Sequence, residues 1–353
     1  MNQSEIFLCA GGTGGHLFPA LSVARKLLEE NSHLRITLVS DKRIQERGIE
    51  SIQLTIPRRS NKRHLPLFVL ALMVSFLKCF FLFLKRKPDL VVGFGGYPSV
   101  PAVLAAQMLR IPTLLHEQNA YMGRANRYLL KRAQLVALSF EKTEAMDDSI
   151  PHILTGNPVR LNHCTPYVLP CDRFNVLVIG GSQGAAAFST LLPKALASLS
   201  PEERSKIALT QQCRPEYMEA TQKAYDMLGM QIVLKSFFDN MQELYEQTHF
   251  IIARSGASTV CEVTVAGRPA LFIPYPYAMD NHQFYNAKAL EGACFLYEQK
   301  DLFPEKLAQL LRDCLQNPSI LEKKAKDIQN GRITNASTRL AQVIRDLLPP
   351  IVV

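Results

Sequence analysis

Residues 6–16 read Ile-Phe-Leu-Cys-Ala-Gly-Gly-Thr-Gly-Gly-His, a short apolar run that enters four glycines within five residues. Residues 176–185 read Val-Leu-Val-Ile-Gly-Gly-Ser-Gln-Gly-Ala and repeat the order of apolar run and glycine turn. Because glycine lacks a Cβ, the backbone can approach a ligand closely, and a helix that begins there offers N–H groups to an anion. The two copies predict two similar lobes, each able to hold a charged ligand, with a cleft between them.

Length and charge narrow the class of protein further. The 353 residues exceed what one hydrophobic core usually supports, so we expect two domains. The net charge of +9 favours anionic partners, namely phosphate-bearing ligands or acidic lipid. We expect no nucleic-acid partner, because no nucleic-acid-binding motif is present.

The eight cysteines contain no C-x-x-C pair and no zinc spacing, so we expect no metal site and a reducing compartment. Several of them lie inside apolar runs, where a thiol packs as a small hydrophobic group. The N-terminal apolar run ends at glycine after five residues and is too short for a signal peptide.

Short apolar runs alternate with helical patterns, which predicts α/β lobes with parallel sheets and helices on both faces. The predicted strands of the first lobe are 6–10, 36–39, 90–94, 113–116 and 135–138. Those of the second lobe are 176–179, 207–209, 232–234, 250–253 and 270–273. We expect Pro19 in the first turn of a helix, where proline is tolerated.

The loss of periodicity around Pro166 and Pro170 indicates a hinge between two domains, 1–163 and 172–336. The last segment, 337–353, begins with a helical pattern and contains Pro349-Pro350. Pattern alone does not say which domain this helix packs against.

Residues 65–84 are predominantly apolar with one charge, Lys78, and have basic residues on both sides, at 62–64 and 85–87. About 20 apolar residues suffice to span a bilayer. A single span would place strands 6–10 and 90–94 on opposite sides of the membrane, although we expect both in one sheet. We therefore predict a helix that is partly in the lobe and lies with its apolar face on a bilayer surface. A buried core helix is the alternative, but phenylalanines at 76, 80, 81 and 83 crowd too densely for one buried stripe.

Residues 253–262 read Ala-Arg-Ser-Gly-Ala-Ser-Thr-Val-Cys-Glu and predict a strand end, a turn and a helix that begins at Ser258 or Thr259. This helix start is a third place for an anion. We expect Glu262 on its first turn, where a carboxylate can bind the two hydroxyls of a ribose. The alternative is an ordinary first-turn carboxylate that stabilises the helix dipole. For the first glycine turn, the nearest ribose-binding acid is Asp41, which lies far along the chain.

Two polar clusters complete the pattern. His116-Glu117-Gln118-Asn119 follow a predicted strand, so they emerge at the carboxyl end of the sheet, where open α/β sheets bind ligands. Asp280-Asn281-His282-Gln283 follow a proline-containing loop and are suited to sugar hydroxyls, although ordinary loop polarity explains them equally well.

Six motifs in this order resemble the MurG family of bacterial peptidoglycan glycosyltransferases, within glycosyltransferase family 28. The motifs are Gly11–His16, Gly95–Ser99, His116–Asn119, Gly156–Arg160, Gly180–Ala185 and Arg254–Ala257. The resemblance spans almost the whole chain. It implies the two-lobed glycosyltransferase B fold and transfer of N-acetylglucosamine (GlcNAc) from its UDP donor to lipid I, giving lipid II.

The resemblance also assigns roles by position. It implies an acceptor- and membrane-binding domain at 1–163, on which the helix at 337–353 packs back, and a UDP-sugar-binding domain at 172–336. The implied acceptor side is His16 with Gly95, Gly96 and Tyr97. The implied donor contacts are Thr13, Gly14, Gly15, Asn119, Arg160, Ser182, Phe238, Ala257, Ser258, Thr259, Val260, Cys261, Glu262, His282 and Gln283. Related enzymes mostly carry an aliphatic residue at Phe238, and glutamine is common at His282.

The expected reaction is one in-line displacement that inverts the anomeric carbon, with His16 as the first candidate for general base and Glu117 as the second. The chain contains no D-x-D motif, so we expect no metal and no cofactor, and helix starts should stabilise the leaving diphosphate. The expected location is the cytoplasmic face of the cell membrane, as a peripheral protein in contact with other cell-wall enzymes. Expected roles are in peptidoglycan synthesis, cell shape and cell division.

Three other functions fit parts of the pattern. A UDP-sugar 2-epimerase would share the fold and the donor but should be less apolar at 65–84. A nicotinamide-dependent oxidoreductase would share the glycine turn but should show one cofactor lobe instead of two. A membrane-bound scaffold without activity would explain 65–84 and the basic charge but leaves the polar clusters unexplained.

Overall fold

The structure is a computed structural model that describes residues 4–31, 33–57, 65–161, 163–181 and 184–350. The chain divides into two compact units, Met1–Arg160 with Asn335–Val353, and Leu161–Thr334. Each unit contains one parallel β-sheet, as the alternation of apolar runs and helical patterns predicts.

The first unit contains a seven-stranded sheet in the order β3-β2-β1-β4-β5-β6-β7. Its strands are β1 (Glu5–Cys9), β2 (Arg35–Ser40), β3 (Ile49–Gln53), β4 (Leu90–Gly93), β5 (Thr113–Glu117), β6 (Leu135–Leu138) and β7 (His152–Leu154). The helices between them are α1 (Gly14–Glu30), α2 (Leu65–Arg86), α3 (Val100–Met108) and α4 (Arg124–Leu129). Every strand pair in this sheet is parallel.

Alternation along β1 explains why this sheet is covered on both faces. Ile6 and Leu8 point to one face and pack in the core that α1 covers. Phe7 and Cys9 point to the other face and pack in the core that α2 and α3 cover. Since successive strand residues face opposite sides, a strand buried on both sides must be apolar throughout, as residues 6–9 are.

The second unit contains a six-stranded sheet in the order β10-β9-β8-β11-β12-β13. Its strands are β8 (Phe174–Ile179), β9 (Ile207–Gln212), β10 (Val233–Lys235), β11 (Phe250–Ala253), β12 (Ala270–Phe272) and β13 (Phe295–Leu296). Its helices are α5 (Ala186–Ala197), α6 (Pro201–Ser205), α7 (Met218–Asp226), α8 (Met241–Gln247), α9 (Ala257–Ala266), α10 (His282–Lys288), α11 (Pro304–Gln316) and α12 (Ser319–Asn330).

The last helix, α13 (Ala336–Asp346), returns to the first unit and packs against α1. Leu340 and Ile344 are fully buried in the core that also contains Ile6 and Leu8. The hydroxyls of Ser337 and Ser22 are 2.9 Å apart, and Arg345 forms an ion pair with Glu30.

The proline-containing segment near the expected hinge packs on the second unit. Arg268 of that unit donates hydrogen bonds to the carbonyl (3.0 Å) and hydroxyl (3.1 Å) oxygens of Thr165. The Tyr167 hydroxyl donates to the carbonyl of His249 at 3.3 Å. These bonds attach the segment to the unit that follows it in the chain.

Each of the ten predicted strands overlaps an observed one, but three short strands were not predicted: β3, β7 and β13. All three lie at sheet edges or carry exposed side chains, so their sequences lack a continuous apolar run. The expected place of Pro19 was wrong. Helix α1 begins at Gly14, after Thr13 in an extended conformation, so Pro19 lies inside the helix.

Helix α2 is long and apolar enough to cross a membrane by length and composition. One narrow stripe faces the protein: Ser75, Cys79 and Phe83 recur every four residues and are buried. The Phe83 ring contacts the ring of Phe7 edge-on, with centroids 4.9 Å apart. The opposite face is exposed along its length, through Leu67, Val69, Leu70, Met73, Val74, Leu77, Phe81 and Leu84.

We expect Leu340→Ala to destabilise the protein by about 2–5 kcal/mol, because it leaves a cavity between α13 and the sheet. The free energy of unfolding in urea measures the effect. Thr338→Ala on the exposed side of α13 is the matched control and should change it by less than about 0.5 kcal/mol. Equal effects of the two substitutions would contradict the packing of α13 on the first unit.

Candidate functional site

The first glycine turn lies at the carboxyl end of β1 and is held by two neighbouring strand ends. The N–H of Gly11 donates to the carbonyl of Gly95 at 3.2 Å, and the N–H of Gly12 donates to the Asp41 carboxylate at 2.5 Å. A Cβ on Gly12 would lie 2.7 Å from that carboxylate oxygen. Asp41 therefore anchors the turn, and the N–H groups left for an anion are those at the start of α1, residues 13–15.

His16 and the loop after β4 meet beside this turn. The imidazole Nε2 lies 3.6 Å from the Cβ position built on Gly95, and Cδ2 lies 3.3 Å from that of Gly96. Both glycines have positive φ angles, +81° and +75°. The structure thus brings together His16 and Gly95-Gly96, three residues assigned from sequence to the acceptor side.

Tyr97 continues this loop and connects it to the apolar helix. Its ring contacts the ring of Phe68 on α2, with centroids 5.6 Å apart. The predicted acceptor side therefore lies directly against α2.

Glu117, at the end of β5, is buried and organises the loop that follows it. Its Oε1 accepts hydrogen bonds from the backbone N–H (3.0 Å) and side-chain amide (3.2 Å) of Asn119. Its Oε2 accepts from the N–H of Gly123 (2.9 Å) and the amide of Asn126 (2.8 Å). Asn126 in turn lies 3.5 Å from the Cβ position of Gly95, so Glu117 supports the wall beside His16.

His116 is fully buried and fixes the segment that carries Arg160. Its Nε2 lies 3.1 Å from the carbonyl of Gly156, and its Nδ1 lies 2.9 Å from the amide of Gln118. Burial lowers the pKa of His116 to about 4, so the ring is neutral near pH 7. A neutral ring fits both bonds, with Nε2–H as donor and Nδ1 as acceptor.

Arg160 ends the segment that follows Gly156 and is exposed. Its guanidinium stacks on the Phe18 ring at 3.8 Å from the centroid. Phe18 also covers Gly14, because a Cβ on that glycine would lie 2.9 Å from the ring. Arg160 therefore lies close to the start of α1, together with the predicted donor contacts at 13–15.

The second glycine turn, after β8, is built with different anchors. The N–H of Gly180 donates to the Gln212 side chain at 3.1 Å. A Cβ on Gly184, which has φ +67°, would lie 2.5 Å from Cγ of Arg214. Ser182, a predicted donor contact, lies outside the described residues, as does Gln183.

The third predicted anion-binding site is the start of α9. Gly256 is extended and precedes the helix, which begins at Ala257. This is earlier than expected, and the first-turn position of Glu262 was therefore wrong: Glu262 is the sixth helical residue. Its carboxylate accepts a hydrogen bond from the Tyr245 hydroxyl at 3.1 Å. Burial, with a smaller contribution from Glu262, raises the pKa of Tyr245 well above its usual value, so it stays a donor.

The predicted donor contacts on α9 form one run along its first two turns. They are Ala257, Ser258, Thr259, Val260, Cys261 and Glu262. Ala257 and Val260 are buried at their side chains. The N–H of Val260 already donates to the carbonyl of Gly256 at 2.9 Å, so the N–H groups left for a ligand are those before it, at 257–259. Phe238, which follows β10, is also buried at the side chain, in keeping with the backbone role implied for it.

His282 and Gln283 begin α10 and shape the loop before it. Nδ1 of His282 donates to the carbonyl of Met279 at 2.8 Å, and Oε1 of Gln283 accepts from the N–H of Tyr275 at 2.9 Å. Asp280 and Asn281 both have a φ of +53°, a conformation that asparagine and aspartate tolerate. His282 and Gln283, the predicted sugar contacts, thus each use one side-chain atom, Nδ1 and Oε1 respectively, to hold the loop.

Sequence reasoning missed several residues that hold these loops, namely Asp41 as an anchor, Asn126, Arg214 and Arg254. Asp41, Arg214 and Arg254 act through partners distant in sequence, such as Gly12 for Asp41 or Ile273 for Arg254. Asn126 donates a hydrogen bond to Glu117, nine residues before it. Two of these residues carry a signal in the sequence: Arg254 belongs to a recognised motif, and Asp41 is the candidate ribose-binding acid for the first glycine turn.

Comparison with known proteins shows the family of the chain. Residues 6–138 match the glycosyltransferase family 28 N-terminal domain, and residues 175–343 match its C-terminal domain. A relative from Rhodospirillum centenum is 41% identical over 360 residues, covering 98% of this chain and 94% of the relative. One from Rhodospirillum rubrum is 39% identical over 365 residues, covering 96% and 91%. Both are named UDP-N-acetylglucosamine–N-acetylmuramyl-(pentapeptide) pyrophosphoryl-undecaprenol N-acetylglucosamine transferase.

Solved structures give the same result. The crystal structure of Acinetobacter baumannii MurG has a TM-score of 0.80 and 31% identity, covering 97% of this chain and 99% of that one. A UDP-GlcNAc 2-epimerase from Neisseria meningitidis has a TM-score of 0.70 at 14% identity, with 97% and 100% coverage, which shows a shared fold alone. The family resemblance inferred from the six motifs is thereby confirmed.

We expect the stability of the protein to fall between about pH 6.5 and pH 4 in part because of His116. Its pKa is lowered in the folded state, so the unfolded state binds the proton first and stability is lost as the pH falls. The shift corresponds to at most about 3 kcal/mol. In His116→Gln, the urea midpoint should depend less steeply on pH than in the wild type. His152→Gln on the exposed end of β7 is the control, and identical pH slopes in all three proteins would contradict the assignment.

Proposed function

Because the chain belongs to glycosyltransferase family 28, we propose that it transfers GlcNAc from UDP-GlcNAc to the MurNAc sugar of undecaprenyl-pyrophosphoryl-MurNAc-pentapeptide. It is a UDP-sugar-dependent N-acetylglucosaminyltransferase of peptidoglycan synthesis. The near full-length identity of about 40% to relatives with this named activity carries the conclusion. The conclusion predicts that radiolabel passes from UDP-GlcNAc to a lipid I analogue in vesicles, with and without chelator.

The donor contacts that we propose in the second unit follow from its helix starts. The N–H groups at the start of α9 favour the diphosphate, and Glu262, oriented by Tyr245, can accept hydrogen bonds from the ribose hydroxyls. The backbone at Phe238 would meet the uracil, and His282 and Gln283 the sugar. Ser182 would contribute at the second glycine turn. From the first unit we propose Thr13, Gly14, Gly15, Asn119 and Arg160.

The proposed chemistry is a single in-line displacement. The 4-hydroxyl oxygen of MurNAc attacks the anomeric carbon, the bond from that carbon to the UDP oxygen breaks, and UDP leaves with the electron pair. The hydroxyl proton passes to His16. Charge develops on the leaving diphosphate, where preorganised N–H groups and Arg160 are most effective because they need no rearrangement.

The surroundings of the two candidate bases favour His16. Glu117 is buried and its oxygens accept four hydrogen bonds from its own loop, whereas His16 lies beside Gly95 and Gly96 at a partly exposed position. We therefore assign the base role to His16 and a positioning role to Glu117.

We further propose that α2 docks the first unit on an anionic membrane surface. The exposed face of α2 adjoins a groove of about 710 Å³, lined by Arg43, Lys78 and Lys85 together with Ser51, Ile52, Gln53, Phe81 and Leu82. A broad apolar face with cations beside it suits an anionic bilayer surface. The Phe68–Tyr97 contact would place the acceptor side next to the lipid that carries the acceptor.

The sheet topology argues against α2 as a membrane span. Strands β3 and β4, which precede and follow α2, belong to one sheet, and Leu90 of β4 pairs with Ile6 of β1. A single crossing would separate these strands. We therefore propose a peripheral location, on the cytoplasmic face of the membrane that the family resemblance implies. Contacts with other cell-wall enzymes remain part of this proposal.

We expect His16→Ala to lower kcat by about 10²- to 10⁴-fold, the usual contribution of a general base. The dissociation constant for UDP-GlcNAc should change little. Steady-state kinetics and calorimetry measure the two quantities, and unchanged turnover would remove His16 from the role.

Glu117→Gln should show whether the Glu117 carboxylate acts as the general base or only positions its loop. An amide cannot accept all four hydrogen bonds, so kcat should fall. The acid limb of the pH profile of kcat/KM should persist, since the titrating base remains. Loss of that limb in Glu117→Gln, with retention in His16→Ala, would make Glu117 the base.

Membrane docking predicts that Leu70→Glu weakens binding to anionic phosphatidylglycerol vesicles by about tenfold or more, because the carboxylate opposes insertion and is repelled by the lipid. Met227→Glu in the second unit introduces the same charge at an 82% exposed apolar residue and is the control. Vesicle sedimentation measures both. Equal binding of the two variants, or equal binding to neutral vesicles, would contradict this surface.

A further inference from the structure

Arg254 is a buried cation at the carboxyl end of β11, and only 6% of it is exposed. Its Nη1 donates to the carbonyls of Ile273 (3.1 Å) and Pro274 (3.0 Å), and its Nη2 donates to Oε1 of Gln299 (2.6 Å). These acceptors are all neutral. Burial lowers the pKa of Arg254 to about 10, so it still carries its charge at neutral pH.

The guanidinium also lies against two rings. Its Cζ is 4.9 Å from the Phe188 ring centroid and 5.6 Å from that of Tyr275. Phe188 belongs to α5, the helix that the second glycine turn opens, and Tyr275 belongs to the loop after β12. A single side chain thus connects the glycine-turn helix to the β12 loop.

The β12 loop leads to the predicted sugar contacts. The N–H of Tyr275 donates to Gln283, and the buried Asn286 of α10 donates to the carbonyl of Ser255 at 3.1 Å. Arg254 therefore holds the start of the loop at Pro274, and Ser255, the next residue in the chain, holds α10 at Asn286 beyond the far end of the loop. Loop 274–283 is held at both ends by the Arg254-Ser255 strand end.

We propose that Arg254 is a positioning residue that holds loop 274–283 in place for the sugar half of the donor, and that binding of the nucleotide half is independent of it. The proposed uracil and ribose contacts, Phe238 and Glu262, are not among the hydrogen-bond and ring partners of Arg254 given above. The proposed diphosphate contacts begin at Ala257, three residues after Arg254, and are backbone N–H groups of α9, outside loop 274–283. This inference rests on the proposed function for the identity of the donor.

The chemistry of arginine explains why a different cation would not serve. Three acceptors lie in separate directions around the planar guanidinium, which offers five N–H groups in a fixed fork. A lysine ammonium would keep the charge but cannot bridge the two carbonyls and Gln299 at once. Arg254→Lys therefore tests the geometry separately from the charge.

The first measurement needs no ligand. In Arg254→Lys, the backbone amides of loop 274–283 should exchange with deuterium at least about tenfold faster than in the wild type, because an opened loop exposes them. Peptides from β8 should exchange as before. Loop exchange at the wild-type rate would overturn the proposal.

The second measurement compares two ligands by calorimetry, UDP and UDP-GlcNAc. In Arg254→Lys, affinity for UDP-GlcNAc should fall about fivefold or more, the scale of one or two lost hydrogen bonds, with affinity for UDP within about twofold of the wild type. Equal losses for both ligands would overturn the selective role. If the wild-type protein fails to bind UDP-GlcNAc, the proposed function fails, while the exchange result still decides the role of Arg254 in the loop.

Arg268 provides a matched control. It is a second buried arginine of the same unit and lies between α9 and β12. It donates hydrogen bonds to the carbonyls of Thr165, Tyr245, Glu246 and Ala266. Arg268→Lys should lower stability but leave the ratio of the two affinities and the exchange of loop 274–283 unchanged. A changed ratio in this variant would show that the readout reports general destabilisation and would overturn the assignment.

A milder variant covers the case in which Arg254→Lys does not fold. Gln299→Leu leaves Arg254 in place and removes its one side-chain acceptor. It should change loop exchange and UDP-GlcNAc affinity in the same direction by about two- to threefold, as loss of one hydrogen bond implies. Wild-type values for both would count against the proposal.

Discussion

The constraint on which both units depend is the set of N–H groups that a helix leaves unpaired at its start. Each parallel strand delivers such a start to the carboxyl edge of its sheet, where a turn must fit between strand and helix. The first turn meets this requirement with glycines that pack on Gly95 and Asp41, and the second with glycines that pack on Gln212 and Arg214. An anionic ligand, such as the diphosphate of the proposed donor, would pair with these N–H groups.

Most polar side chains near these edges bind the protein's own loops. Asp41 holds the first glycine turn, Glu117 holds the loop that contains Asn119, and Arg254 holds the loop after β12. Carboxylates and guanidinium groups with several fixed hydrogen-bond partners are poorly suited to proton transfer but hold loops in position well. This division agrees with the proposal that Glu117 positions its loop while His16 acts as the base.

Helix α2 brings a second environment to the first unit. One stripe of it packs in the core beside Phe7, and the remaining face is apolar and exposed. Its contact with Tyr97 joins this face to the loop beside His16. One helix therefore joins an exposed apolar surface to a polar loop, which is the arrangement that the proposed polyprenyl-linked acceptor would need.

The sequence by itself determined the two parallel sheets, the glycine turns and the apolar helix. The sheets and the helix follow from local periodicity, and the turns follow from positions that require a residue without a Cβ. It did not predict β3, β7 or β13, which are short and partly exposed. It also did not predict where α1 and α9 begin, because the glycines there are compatible with both turn and helix. Only the tertiary structure decided that Asp41 anchors Gly12, that Glu117 faces its own loop, and that Arg254 connects Phe188 to Tyr275. The contacts of Asp41 and Arg254 join residues far apart in sequence, and no local pattern encodes which strand end will face another. The partners of Glu117 lie within nine residues of it, but they belong to a loop and the first turn of α4, where the sequence has no regular periodicity.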